Sequence, residues 1–256
     1  MLYRYFIKIA FDGTGYNGWQ VQKNSAQTVQ AKINSGLSKL LSEDIFITGC
    51  CRTDAGVHAR ELYAHFDSKR KDLHDNSKID WVYKFNMLMP KDIAIDGIYL
   101  VKNTLSARFD ANARTYKYYI HNRRNPFLIN RSYYFYGMLN VNAMNEAASV
   151  LLNHEDFSAF SKLNTQVKST ICKVKKAQWI VNGKGDMTFT IQSNRFLHGM
   201  VRMIVGTLIL VGKGKMSIGD FEKILIGKDC RKAGALAPAH GLYLVKVGYP
   251  SHVFIQ

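Results

Sequence analysis

The 256-residue sequence has few residues of the kinds that cross-link a chain or stiffen a linker. It holds four cysteines, at positions 50, 51, 172 and 230, and four scattered prolines. No C-x-x-C pair occurs, and the adjacent Cys50 and Cys51 suit neither a simple disulfide nor a zinc knuckle. We therefore expect reduced, buried thiols and no metal ion.

Long apolar runs are also absent. The longest, over residues 203–211, is far shorter than the roughly 18 residues that a membrane-spanning helix needs. Near the start of the chain, Arg4 and Lys8 interrupt the apolar residues, so no signal-peptide core is predicted. These absences favour a soluble, cytoplasmic protein that does not bind a membrane.

Acidic residues are scarce: 19 Asp and Glu stand against 35 Lys and Arg, which gives a formal net charge of +16. Residues 1–103 hold 14 basic and 11 acidic residues (+3), and residues 104–256 hold 21 and 8 (+13). A solvated basic surface is the ordinary explanation of a modest excess, but an excess of this size favours a nucleic-acid partner. Tyrosines lie among the basic residues of segments 114–119 and 131–134, as suits RNA bases and phosphates, although plain β-sheets are also rich in tyrosine.

The apolar pattern predicts an α+β fold with a mostly antiparallel sheet. Strands are predicted at 3–11, 45–48, 116–120, 133–136 and 242–247, and in a hairpin that turns at 182–185 and has a bulge at Lys175-Lys176. Helices are predicted after the caps Thr28, Asn142 and Ser217, and over the buried segment 196–211. A soft boundary separates two domains, 1–103 and 104–256.

Two side chains are candidates for chemistry. Arg202, with His198, interrupts a predicted apolar helix. Its guanidinium either extends to the surface or forms a structural ion pair, or else Arg202 is an active-site arginine that pairs with an acid. Asp54 follows a strand in a loop of small residues, with Arg52 two positions away. It is either a turn residue or an ionised nucleophile. The Gly-Lys-Gly-Lys segment at 212–215 lacks the glycine spacing and the Ser/Thr of a phosphate-binding loop, and Gly-Thr-Gly at 13–15 is only a fragment of a dinucleotide motif.

Residues 52–59 (RTDAGVHA) resemble the signature of the TruA family of tRNA pseudouridine synthases. Five further blocks follow the family's order: 11–20 (FDGTGYNGWQ), 107–118 with ARFDA and RTYKY, 157–160 (FSAF), 196–202 (FLHGMVR) and 237–242 (APAHGL). The sequence departs from the usual pattern at Cys50-Cys51, Gly199 and Met203, which affects the expected detail of the pocket rather than the named catalytic positions.

The resemblance implies that Asp54 is the catalytic nucleophile, that Arg202 pairs with it, that Tyr116 stacks near the target uracil and that Leu242 lines the pocket. We expect Arg52 to help keep Asp54 ionised. Further expected contacts are phosphates for Arg108 and Arg114, and either the substrate or a loop hydrogen bond for His58.

The resemblance also implies two α/β-sandwich-like domains that share an extended sheet, with the active-site cleft between them. It implies a homodimer that binds tRNA and modifies uridines on the 3′ side of the anticodon stem-loop, at tRNA positions 38–40. Because the isomerisation gains and loses no group, it requires neither a metal nor another small-molecule cofactor. The alternatives are a non-catalytic RNA-binding or RNA-folding protein on the same fold, and a pseudouridine synthase that acts on another RNA.

Overall fold

The computed structural model describes residues 1–22, 25, 27–161 and 169–254. The chain divides into two compact units: unit 1 comprises Met1–Asn112 and Leu244–Gln256, and unit 2 comprises Ala113–Tyr243. Both units contain helices and mostly antiparallel strands, which confirms the predicted α+β class. The domain boundary near residue 103, the shared sheet and the cleft remain predictions of the sequence. None of the helices in the described ranges is long and apolar enough to cross a membrane.

Unit 1 is built on a central antiparallel strand, β1, that pairs with β3 on one side and β4 on the other. Its elements are β1 (Tyr3–Phe11), α1 (Val29–Leu41), β2 (Thr48–Gly49), β3 (His58–Ser68), α2 (Trp81–Leu88), β4 (Ile93–Val101) and, from Leu244 onward, β9 (Leu242–Gly248). The predicted β1 is confirmed. Its Tyr5, Ile7 and Ile9 are fully buried, and so is Phe6 on the opposite face.

Unit 2 contains an antiparallel sheet in which β8 lies between β5 and β7, with β6 parallel to β5. Its elements are β5 (Ala113–His121), β6 (Tyr133–Tyr134), α3 (Val141–Val150), β7 (Val174–Val181), β8 (Met187–Ser193), α4 (Met200–Gly212), α5 (Ile218–Gly227) and the first two residues of β9. The register of β7 against β8 shifts between Val174 and Lys176, which confirms the predicted bulge.

Helix caps decide where the predicted helices begin. The Thr28 and Ser217 side chains accept hydrogen bonds from the amides of Ala31 and Asp220, so both predicted caps are confirmed. The cap of α3 is Asn140, whose side chain accepts from the Ala143 amide at 3.1 Å; the prediction of Asn142 was wrong by two residues.

Two predicted elements have different bounds. The strand predicted over 45–48 is limited to β2, because the amides of Ile45 and Ile47 donate to the α1 side chains of Ser38 (2.9 Å) and Asn34 (3.0 Å) instead of to a neighbouring strand. The helix predicted from residue 196 begins at Met200, because Gly199 has a φ of 74°, outside the right-handed helical region.

All four cysteines lie in the described part of the chain and are thiols, not members of a disulfide. Cys50 and Cys172 are buried, whereas Cys51 and Cys230 are half-buried, so the expectation of full burial was wrong for two of them. The Cys51 sulfur lies 3.8 Å from that of Cys50. Burial raises the pKa of the Cys172 thiol to about 11. Among the described residues, no group of three His, Cys, Asp or Glu side chains could hold a metal ion.

A bidentate ion pair connects β1, β3 and the segment after β4. The Arg4 guanidinium donates from Nε and Nη2 to the two Asp67 carboxylate oxygens, both at 2.8 Å, and from Nη1 to the Leu105 carbonyl at 3.0 Å. These hydrogen bonds lower the pKa of Asp67. A carboxyl group with a lowered pKa stabilises the folded state at pH values above its unfolded pKa of about 4, and that stabilisation is lost as the pH falls through the folded pKa.

We therefore predict that Asp67→Asn lowers the free energy of unfolding at pH 7 by about 1 kcal/mol, a value that allows for the partial exposure of the pair. Urea unfolding from pH 7 down to pH 2 measures this effect, and the difference from the unsubstituted protein should shrink below about pH 4. Asp96→Asn, at an exposed position of β4, is the control. An Asp67→Asn effect that persists unchanged at pH 2 would contradict the ionic origin.

Candidate active site

Asp54 lies in the loop between β2 and β3 of unit 1, at the first position of a tight turn. The Val57 amide donates to the Asp54 carbonyl at 3.2 Å, and Gly56 supplies the positive φ, 75°, that the third position of such a turn requires. The Asp54 side chain is half-buried, whereas Arg52 is exposed. A short turn that leads into a long sheet strand gives the Asp54 backbone a defined position.

The glycine-rich loop after β1 (residues 12–19) packs against the Asp54 turn through its backbone. The Trp19 amide donates to the Thr53 carbonyl at 3.1 Å. Gly18 has a φ of 87°, and a Cβ atom at this position would lie 2.6 Å from the same Thr53 carbonyl oxygen. Only glycine combines this backbone conformation with so close an approach. Two blocks of the sequence signature, more than 30 residues apart, therefore meet directly beside Asp54.

The other end of the glycine-rich loop binds the end of the Asp54 turn. The Gly13 amide donates to Nδ1 of the buried His58 at 3.1 Å, and an Asp12 carboxylate oxygen also lies 3.1 Å from that nitrogen. A Cβ atom on Gly13 would overlap the Val57 carbonyl. The loop hydrogen bond that was one of the two predictions for His58 is thus confirmed, and a substrate contact by His58 remains a prediction.

Tyr16 anchors the same loop to the start of β4. Its hydroxyl donates to the Asp92 carboxylate at 2.6 Å, and the Asp12 amide donates to the Asp92 carbonyl at 2.9 Å. Burial and the adjacent Asp92 carboxylate raise the pKa of the Tyr16 phenol, so this hydroxyl stays protonated. The loop that supports Asp54 is therefore itself fixed to the sheet.

Arg108 lies in unit 1, on the turn between β4 and β5, and is exposed. The turn closes through the Asp110 carboxylate, which accepts from the Ser106 amide at 2.7 Å. The guanidinium carbon of Arg108 lies 5.5 Å from the centre of the Phe109 ring. This exposure suits the phosphate contact expected of Arg108, which remains a prediction.

Arg202 lies in unit 2, on the first turn of α4, and is half-buried. Its Nε donates to the Ala237 carbonyl at 2.7 Å, and the Ala237 amide donates to the Arg202 carbonyl at 3.0 Å. The segment before Ala237 packs closely on the same helix, because a Cβ atom on Gly206 would overlap the Ala235 carbonyl. Arg202 is thus oriented by the 237–242 block. His198 lies in the turn before α4 and not on the helix.

Tyr116 and Arg114 are neighbours on the buried face of β5, with exposed fractions of 6% and 7%. The Tyr116 ring packs edge-to-face against Phe196, with ring centres 5.1 Å apart. Nη1 of Arg114 donates to the Asn194 carbonyl at 2.7 Å. Burial and this bond favour a structural role for Arg114 over the expected phosphate contact.

Tyr118, two residues further along the same face, was not singled out by the sequence. Its hydroxyl donates to the Pro238 carbonyl at 2.9 Å, and a Cβ atom on Gly241 would lie 2.6 Å from its ring. Burial raises the pKa of this phenol, so it remains a donor. Tyr118 thereby fixes the segment that leads into the buried Leu242. The alternation of residues 114, 116 and 118 was the signal that could have identified it.

The structure gathers the predicted residues into two groups. Arg52, Asp54 and His58 share the loop and strand start of unit 1, where the glycine-rich loop supports them. Arg202 and the block that ends in Leu242 share a second group in unit 2. The pairing of Arg202 with Asp54 remains a prediction.

The close approach of Gly18 to the Thr53 carbonyl can be tested by measuring stability. Gly18→Ala should lower the free energy of unfolding by about 2 kcal/mol or more, because alanine disfavours a φ of 87° and its Cβ would meet the Thr53 carbonyl. Gly15→Ala is the matched control in the same loop, since nothing lies within 4 Å of its added Cβ. Denaturant unfolding of both variants measures the effect. Equal free energies of unfolding for both would show that the glycine-rich loop does not constrain the Asp54 turn.

Comparisons with known proteins identify the family of this chain. A family model described as tRNA pseudouridine synthase matches residues 147–250. A Bacteroides fragilis protein named tRNA pseudouridine synthase A is 46% identical over 251 residues, which covers 98% of each chain. A Ruminiclostridium cellulolyticum protein of the same name is 42% identical over 245 residues, covering 95% of this chain and 98% of the relative. Identity of this extent over nearly the whole of each chain shows that the chain belongs to the tRNA pseudouridine synthase A family of isomerases.

Proposed function

We propose that this protein converts uridine to pseudouridine on the 3′ side of the anticodon stem-loop of tRNA, at positions 38–40, with Asp54 as the nucleophile. The observation that carries the proposal is the support of the Asp54 turn by the glycine-rich loop at Gly18 and Trp19. A backbone contact of this kind fixes the main chain that carries the carboxylate, which limits the positions the carboxylate can take and so favours a reaction at a single carbon atom.

The reaction breaks the bond between C1′ of the ribose and N1 of the uracil, turns the uracil and rejoins it through C5. The hydrogen on C5 is lost and N1 gains one, so the composition of the RNA does not change. The Asp54 carboxylate either attacks an electron-poor carbon and is later displaced, or stabilises the sugar cation while the base departs. Both routes need an ionised carboxylate and no redox or metal chemistry.

The target uridine must leave the base stack before a carboxylate can reach it, which costs a few kcal/mol. We propose that Tyr116 and Leu242 contact the flipped uracil and that Arg202 pairs with Asp54. The bond from Arg202 to the Ala237 carbonyl supports this role, since it fixes the direction of the guanidinium. Arg52 lies two residues from Asp54 and is exposed, which supports a contact with the substrate through the phosphate backbone.

The formal charge of +16 supports tRNA as the substrate, because phosphate neutralisation provides most of the affinity for nucleic acid. We propose that the protein acts in the cytoplasm as a homodimer that binds one tRNA across both subunits. Arg108, on an exposed turn, is the better of the two arginines proposed for phosphate contact, given the burial of Arg114.

Asp54→Asn should reduce pseudouridine formation in a tRNA transcript by roughly a thousandfold or more, because it removes the nucleophile. The affinity for tRNA should change little, since the amide is isosteric and the phosphate contacts remain. Pseudouridine is measured by base-resolution mapping of the transcript, and affinity by filter binding. Asp44→Asn, at an exposed position of the same unit, is the matched control and should retain full activity.

Full activity of Asp54→Asn would contradict the assigned nucleophile. Tight binding of tRNA by the unsubstituted protein without any pseudouridine would instead favour the non-catalytic RNA-binding alternative. Pseudouridine formed only in another RNA would favour the third possibility.

A further inference from the structure

We propose that Phe109 is an RNA-binding residue on which an unpaired base of the tRNA stacks, beside a phosphate held by Arg108. This inference rests on the proposed function, since it takes tRNA as the substrate. The sequence analysis gave Phe109 no role, and Phe109 is not a member of the groups described for Asp54 and Arg202.

The turn that carries Phe109 is fixed on both sides. The Ala107 amide donates to Nδ1 of His65 on β3 at 3.1 Å, and the Ala107 carbonyl accepts from the Tyr249 hydroxyl at 2.6 Å. The turn closes on itself through Ser106, whose amide donates to the Asp110 carboxylate at 2.7 Å and whose carbonyl accepts from the Asp110 amide at 3.1 Å. The Phe109 backbone is therefore held in one conformation without the help of its own ring.

The Phe109 ring is nevertheless 83% exposed, whereas the flanking Ala107 and Ala111 are buried. A single exposed aromatic residue is common in proteins and has no meaning by itself. Here the exposed ring stands on a rigid turn that buries its small neighbours, so the backbone presents the ring to solvent. A rigid and exposed aromatic face binds a base at a low cost in conformational entropy.

The chemistry beside the ring selects the partner. The Arg108 guanidinium lies 5.5 Å from the ring centre and is itself exposed. An aromatic ring next to a guanidinium pairs a stacking surface with a phosphate ligand, which is how unpaired nucleotides are held. One ring is too small for a stable protein interface, which buries roughly 800 Å² on each partner, but it matches the face of one base.

Phe46 provides a matched comparison within unit 1. Its side chain is also exposed, at 61%, but two acidic residues, Glu43 and Asp44, lie three and two positions before it in the sequence. Carboxylates repel the phosphate backbone, so an equally apolar ring at this position should not contact RNA. A difference between the two phenylalanines therefore separates RNA stacking from a general effect of surface apolarity.

The test measures binding of an unmodified tRNA transcript by the full-length protein and its variants, over a range of salt concentrations. Phe109→Ala should weaken binding about tenfold or more, as expected for the loss of one stacked base, and Phe46→Ala should not. Phe109→Trp should keep the affinity, whereas Phe109→Leu, which is apolar but lacks an aromatic face, should lose it. The slope of affinity against salt should be unchanged by Phe109→Ala and reduced by about one by Arg108→Gln.

Wild-type affinity of Phe109→Ala, or full affinity of Phe109→Leu, would overturn the inference. Thermal unfolding of each variant should match the unsubstituted protein, because the ring is exposed. Measuring pseudouridine with the same variants separates this inference from the proposed function. If Phe109→Ala forms pseudouridine as well as the unsubstituted protein at limiting tRNA, only the Phe109 contact is contradicted. If the unsubstituted protein forms no pseudouridine, the proposed function is contradicted.

Discussion

The approach of the Gly18 backbone to the Thr53 carbonyl is the constraint on which the Asp54 site depends. A positive φ at Gly18 lets the Trp19 amide reach that carbonyl at 3.1 Å, and no side chain at position 18 would leave room for the contact. The bond from the Gly13 amide to His58 holds the other end of the turn. These two contacts restrain the backbone on both sides of Asp54 but do not themselves fix its side-chain torsion angles.

This constraint explains why the glycine-rich loop is part of the signature, since its glycines allow the close backbone contacts. Its glycines bring backbone amides to the Asp54 loop, and Tyr16 fixes the glycine-rich loop to the start of β4 through Asp92. The same logic holds in unit 2, where Gly206 and Gly241 let the chain pass close to α4 and Tyr118. In both units a close approach of two backbone segments supports a proposed site residue, Asp54 in unit 1 and Arg202 in unit 2.

Much of the fold could be predicted where a local pattern determines it. The alternation in β1, the caps Thr28 and Ser217 and the bulge in β7 depend on neighbouring residues, and all were predicted. The strand at 45–48 was misplaced because side chains of α1 take its amides, an interaction that no local pattern reveals.

The long strand β3 was not predicted, because its first residues belong to the 52–59 segment, which was interpreted as a loop; α2 and β4 were not predicted either. Leu62, Ala64 and Phe66 alternate with polar residues there, so the signal for a strand was present. Within the site, the sequence named Asp54 and Arg202 but could not tell exposed from buried arginines. Charge alone gave Arg108 and Arg114 the same role, and only burial separates them.

The central claim is that a carboxylate in a backbone-supported turn isomerises uridine within tRNA. Base-resolution mapping of pseudouridine in total RNA, from cells with and without the gene for this protein, tests it most directly. The account predicts that pseudouridine disappears from the 3′ side of tRNA anticodon stem-loops and persists in other RNAs. An unchanged map, or a loss confined to another class of RNA, would contradict it.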